Sequence, residues 1–124
     1  MIELRLQLRI DADTRVGPGK VRLLEKIGEA GSISAAAREM GMTYRRAWEL
    51  VDHMNKAFGQ PLIVGHTGST GGADLTELGR TVVDRFRRIE AAATAAAADH
   101  LTTLSSLIVA PVGRDGSPTD STKG

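Results

Sequence analysis

The chain has no cysteine in its 124 residues. Disulfides, thiol catalysis and thiolate metal sites are thereby excluded. Aromatics are nearly as scarce, with two Phe, one Trp and one Tyr, so Leu, Ile, Val and Ala must fill the core. Neither sign of charge dominates: 16 Lys and Arg against 15 Asp and Glu leave a net +1. There is no uniformly basic surface, and affinity for phosphate must come from local clusters. Arg45 with Arg46 forms one such cluster, and Arg85, Arg87 and Arg88 another. No stretch approaches the roughly 20 apolar residues of a membrane span. No apolar segment follows Met1 as a secretory leader would, and the expected location is cytoplasmic. His53, His66 and His100 are too scattered for metal-ligand spacing. No G-x-S-x-G run is present, and Asp11 and Asp13 read as turn residues. The chain is expected to be no enzyme and to hold no metal or cofactor.

What is present centres on Ser32 to Phe58. A Ser hydroxyl at Ser32 or Ser34 can cap a helix by accepting from free backbone N–H groups. Ala35, Ala36 and Ala37 are strong helix formers and small enough for another helix to approach. Gly41 ends that helix, and Thr43 starts the next. The second helix carries Ala47, Leu50, Val51, Met54 and Phe58 at spacings of three and four, which predicts one buried stripe. This is helix-turn-helix grammar, in which the second helix reads the DNA major groove. With the stripe inward, Arg45, Glu49, Asp52 and Lys56 point outward. Arg46 sits on one flank, and Tyr44 and Trp48 on the other. Arg offers a forked pair of donors to guanine, and Glu49 can accept from cytosine N4. Trp48 is assigned to packing rather than to base contact. His53 is expected on the solvated side.

The run from Gly19 to Asn55 resembles the N-terminal DNA-binding domain of the ModE family of molybdate-responsive bacterial regulators. The matching residues are Gly31-Ser32-Ile33-Ser34-Ala35-Ala36-Ala37, Gly41-Met42, Tyr44, Arg46-Ala47-Trp48, and Val51-Asp52 with Met54-Asn55. The Gly-rich segment before Leu75-Thr76 and Gly79 also fits. The same core pattern is similar to the wider LysR-type winged helix. ModE regulators carry C-terminal molybdate-binding domains with a Ser-Ala-Arg-Asn-Gln-type motif, and no such run occurs here. The resemblance therefore implies the DNA-binding half without the known sensor.

Around this unit the chain reads in order. Ile2, Leu4, Leu6, Leu8 and Ile10 alternate with polar residues, which predicts a half-buried strand. Asp11 to Gly17 reads as a loop. Pro18 suits a first helical turn, and Val21, Leu24 and Ile27 mark a helix that braces the following two, closed by Gly31. Leu62 to Val64 and Ala73 to Leu75 predict a hairpin wing. His66, Thr67, Ser69 and Thr70 at its tip are candidates for phosphate contacts. A nucleotide-binding loop is disfavoured there, because no Lys precedes a Ser or Thr. Thr76 caps a helix running to about Leu107, with Leu78, Val82, Phe86, Ile89 and Ala93 on one stripe. At that length it is a rod of about 45 Å, more than one small domain can bury, or else two helices broken near Ala98-Asp99-His100. Pro, Gly, Ser and Thr from Ala110 onward predict a disordered tail.

The expected architecture is mainly α with a small β component. A winged helix-turn-helix spans 1–76, with the helix-turn-helix at 32–58 and the wing at 62–75. A dimerisation helix at 77–109 and a tail at 110–124 follow. The expected function is that of a homodimeric bacterial transcriptional regulator on a palindromic operator in double-stranded DNA. Thr43, Tyr44, Arg45, Arg46 and Glu49 lie at the groove and Lys56 at phosphate. Two other classes fit the same sequence. One is an interaction module that dimerises with a full-length regulator. The other is an oxyanion sensor in its own right. The effector, if any, is unknown.

Overall fold

The computed structural model describes residues 2–65 and 72–109. Two strands, β1 (Leu8–Asp11) and β2 (Thr14–Val16), pair antiparallel with a bulge between Arg9 and Asp11. The turn between them is fixed by the Asp13 N–H donating to Asp11 Oδ1 at 2.9 Å. That bond also holds the Asp11 carboxyl below the usual carboxylate range. This corrects the expectation of one half-buried strand over residues 2–10 followed by a loop. Residues 2–7 alternate between half-buried and exposed but pair with no strand, while all four residues of β1 are exposed. The alternation is real, but a strand needs a ladder partner, and the short Thr14–Val16 segment reaches only the end of the run.

Three helices follow: α1 (Pro18–Ala30), α2 (Ile33–Glu39) and α3 (Tyr44–Phe58). Pro18 opens α1, as a residue without an N–H should. Gly31 closes α1. The Ser32 hydroxyl caps α2 by accepting from the Ala35 N–H at 3.0 Å. The link between α2 and α3 is tight because Gly41 sits at φ +69°. A side chain rarely adopts that conformation. It lets the Met42 N–H turn back to the Ala37 carbonyl at 3.0 Å.

Helix α1 joins two buried clusters. Leu23 and Ile27 pack with Ala36, Ala37, Ala47, Val51 and Ala73. Val21 and Leu24 pack with Val16, Met54, Leu62 and Phe86. Alanines at 36, 37 and 47 let α2 and α3 approach closely, so a core with few aromatics still closes. Leu50 and Phe58 fall short of the predicted stripe, since Leu50 is only half-buried and Phe58 is exposed at the end of α3.

The hairpin stem consists of β3 (Ile63–Gly65) and β4 (Ala73–Leu75), paired Ile63 to Leu75 and Gly65 to Ala73. It is tied to the helices at both ends. The Ala73 N–H donates to the Gly31 carbonyl at 2.8 Å, and Asn55 Oδ1 accepts from the Leu62 N–H at 2.8 Å. Thr76 then caps α4 (Glu77–Leu107), a continuous helix of 31 residues. The break near His100 does not occur. The first turns of α4 lie on the body through Gly79 and Phe86, both buried. From Ala91 on, every described residue is exposed or half-buried.

Candidate nucleic-acid interface

Helix α3 is positioned by what lies behind it. Ala47, Val51 and Met54 face the core, so the opposite side must face solvent. The Thr43 hydroxyl accepts from the Arg46 N–H at 3.0 Å and so fixes where the first turn begins. That hydroxyl keeps its own proton for a further acceptor. The Arg45 side chain is 89% exposed and that of its neighbour Arg46 61%. Glu49 stands one turn along. It takes Arg45 Nε at 3.3 Å and lies 4.0 Å from Arg46. Lys56 pairs with Asp52 at 3.0 Å. Lys56 lies about 16 Å along the axis from Arg45, so the two cannot serve the same base step. Thr43, Tyr44, Arg45, Arg46 and Glu49 are brought together at the N-terminal end of α3, and Lys56 is set apart.

One placement differs from the sequence reading, and Trp48 takes the flank position that reading gave it. His53 is not solvated: its ring lies half-buried, with Nε2 at 3.3 Å from Thr14 Oγ1, and so ties α3 to β2. Trp48 is 44% exposed, and Tyr44 beside it is 53% exposed. His66, Thr67, Ser69 and Thr70 lie outside the described residues.

Lys20 was not legible as a member of the surface. It sits in the first turn of α1, and its ammonium donates to the Arg15 carbonyl at 2.6 Å. Partial burial, and then the nearby positive charge of Arg46, lower its pKa. The two cations belong to different elements, α1 and α3. The only sequence trace was a Lys two residues after a helix-opening Pro.

Among the described residues no group of His, Asp or Glu could hold a metal ion. None of the described helices is long and apolar enough to cross a membrane.

Comparison with known proteins agrees with this geometry. The chain is 42% identical over 93 residues to the molybdenum-pterin-binding protein MopA of Rhodobacter capsulatus, covering 73% of this chain and 35% of that protein. It is 38% identical over 88 residues to the molybdenum transport protein ModE of Azotobacter vinelandii, covering 69% and 33%. The chain thus spans about a third of the length of these relatives. In fold it is similar to the CbnR DNA-binding domain solved with DNA, with a TM-score of 0.55 at 20% identity over 69% of this chain and 95% of that one. Residues 19–80, from α1 through the wing to the start of α4, match the family described as bacterial regulatory helix-turn-helix proteins, lysR family. The chain belongs to that family of regulatory helix-turn-helix proteins.

Proposed function

We propose that this protein is a sequence-specific DNA-binding transcriptional regulator of ModE-like type, acting as a homodimer on a palindromic operator. The observation that carries the reading is Arg45, almost fully exposed in the first turn of the second helix of the motif. In that position a guanidinium meets guanine O6 and N7. Glu49, already aligned with Arg45, accepts from the cytosine of the same or the next pair. Thr43, Tyr44 and Arg46 complete the groove set, and Lys20, Lys56 and the wing hold phosphates. On this reading the protein works in the cytoplasm. Its regulatory setting is molybdenum handling, in line with the molybdenum-pterin binding and molybdenum transport for which MopA and ModE are named.

The homodimer rests on α4. One row of apolar residues runs along α4 and its C-cap, Val82, Phe86, Ile89, Ala93, Ala97, Leu101, Leu104 and Ile108, separated by 4, 3, 4, 4, 4, 3 and 4 residues, with Leu78, Val83 and Leu107 beside it. The spacing is the same read from either end, with Ala95 at its centre. Two such helices laid antiparallel match Val82 to Ile108, Phe86 to Leu104 and Ile89 to Leu101, twice over. That is the self-complementarity a two-fold interface requires. The body already offers a receiving groove of about 250 Å³, lined by Leu8, Ile10, Phe58, Val82, Phe86 and Ile89. Leu104 and Ile108 are exposed in the single chain and would fill it in the pair.

The reading is tested by titrating labelled duplex from upstream of the protein's own gene, with excess random competitor, at two salt concentrations. Competitor-resistant binding that Arg45→Ala weakens by about tenfold or more supports it. Equal binding to every duplex opposes it. Leu104→Asp with Ile108→Asp should turn a sedimenting dimer into a folded monomer, and an unchanged dimer would remove α4 as the interface.

A further inference from the structure

The chain has a single Trp and a single Tyr, and neither is spent on the core. Both stand on α3, four residues apart, about half exposed. Leaving a Trp outside a core this poor in aromatics forgoes a large apolar gain. The two rings stand over an open hollow of about 370 Å³ between α2, α3 and the root of the wing. Its walls include Ile33, Val51, Ile63 and Ala73. The amide oxygen of Asn55, which also reaches the hollow, is already taken by the Leu62 N–H. Ser34 lines it too, so the lining is mixed, and the two rings supply its largest apolar faces. On its other side Trp48 walls a second hollow, of about 330 Å³, with Arg45, Glu49 and Asp52. Trp48 is thus a wall shared by a recess of mixed lining and the charged row of Arg45, Glu49 and Asp52.

Resting on the reading of α3 as the groove-facing helix, we propose that Trp48 and Tyr44 determine specificity by receiving the C5-methyl group of an operator thymine. The occupant follows from groove chemistry. Of all the groups on the base edges of the major groove, the thymine methyl alone is apolar. The recess opens beside Arg45 and Glu49, so the thymine lies next to the G·C pair those two read. Tyr44 and Trp48 keep their polar tips for water or phosphate at the rim. Specificity then has two parts, a forked charge contact and an adjacent methyl contact, on one face of one helix.

The test is a double cycle on a duplex first enriched by selection with the wild-type protein. Each thymine is replaced singly by deoxyuridine, which removes only the methyl. Binding is measured for wild type, Trp48→Leu and Tyr44→Leu, each checked for fold by circular dichroism. Removing one methyl should weaken wild-type binding about fourfold at one thymine per half-site. Trp48→Leu should weaken binding about tenfold and be indifferent to that same methyl. A wild-type protein that tolerates deoxyuridine at every thymine overturns the proposal, as does a Trp48→Leu protein that still discriminates the methyl fully. Either result leaves the DNA-binding reading intact. Failure of the wild type to enrich any duplex removes that reading instead. The deoxyuridine series on wild type needs no variant and decides the question even if both substitutions unfold.

Discussion

Arg87 on α4 grips Glu25 on α1 with two bonds, Nη2 to Oε1 at 2.7 Å and Nε to Oε2 at 3.0 Å. Its third nitrogen reaches Glu90 at 2.7 Å. The fork ties α4 to α1, and in the proposed homodimer it would help set the distance between the two copies of α3. Both side chains are about one-third exposed, so solvent screening limits the clasp to about 1 kcal/mol.

The bonds from Arg87 hold the Glu25 carboxyl below its ordinary value of 4.5. A depressed carboxylate stabilises the fold above its unfolded-state pKa, and that contribution is lost as pH falls through the folded-state value. Glu25→Gln should therefore be less stable than wild type near neutral pH. The difference should shrink as pH drops below 4.5. Thermal melts of the two proteins across acid pH check this, and a constant gap would show that the ionised clasp is not the cause.

Gly79 is placed where α4 crosses the end of the wing. A Cβ there would collide with the Leu62 carbonyl, the same group that accepts the Thr76 N–H at 2.9 Å. Backbone on both sides leaves nothing to swing away. Gly79→Ala should cost about 2 kcal/mol, as overpacking does, even though Ala favours helix elsewhere. Denaturant titration reads the loss directly. Gly19→Ala, which meets nothing within 4 Å, is the control.

Glu49 holds Arg45 in the free protein. It also places a negative charge against the phosphates of any wrong sequence. Glu49→Gln should raise affinity for random DNA and narrow the ratio between operator and random duplex. Competition titrations at fixed salt give that ratio. An unchanged ratio would mean that Glu49 faces solvent in the complex.

Lys20 on α1 and Arg46 on α3 are cations on packed helices, and burial and then the charge of Arg46 lower the Lys20 pKa. If a phosphate bridges them, Lys20→Ala should weaken operator and random DNA equally. It should also flatten the slope of log affinity against log salt by about one unit. A loss confined to the operator would place Lys20 at a base instead.

Much of this was legible in the sequence because it rests on local rules. Thr43 and Thr76 announce helix starts by side-chain chemistry, and Gly31 and Gly41 announce ends by backbone freedom. The 3.6-residue period of Ala47, Val51 and Met54 sets which face of α3 is outward. What was not legible depends on partners distant in sequence. His53 looks outward by its helical angle, but Thr14, 39 residues away, meets it. Ile2 to Ile10 has the period of a strand, but only its end finds a second strand. Lys20 and Arg46 become neighbours only once α1 lies against α3.

The most direct test is selection of bound duplexes from a random DNA library by the intact protein at moderate salt, followed by sequencing. Two outward Arg-bearing helices related by a two-fold axis predict enrichment of an inverted repeat with half-sites about one helical turn apart. Arg45→Ala should lose one G·C position in each half-site. Recovery of unenriched sequence by the folded protein, or of a single asymmetric site, would contradict a dimer that reads DNA through α3.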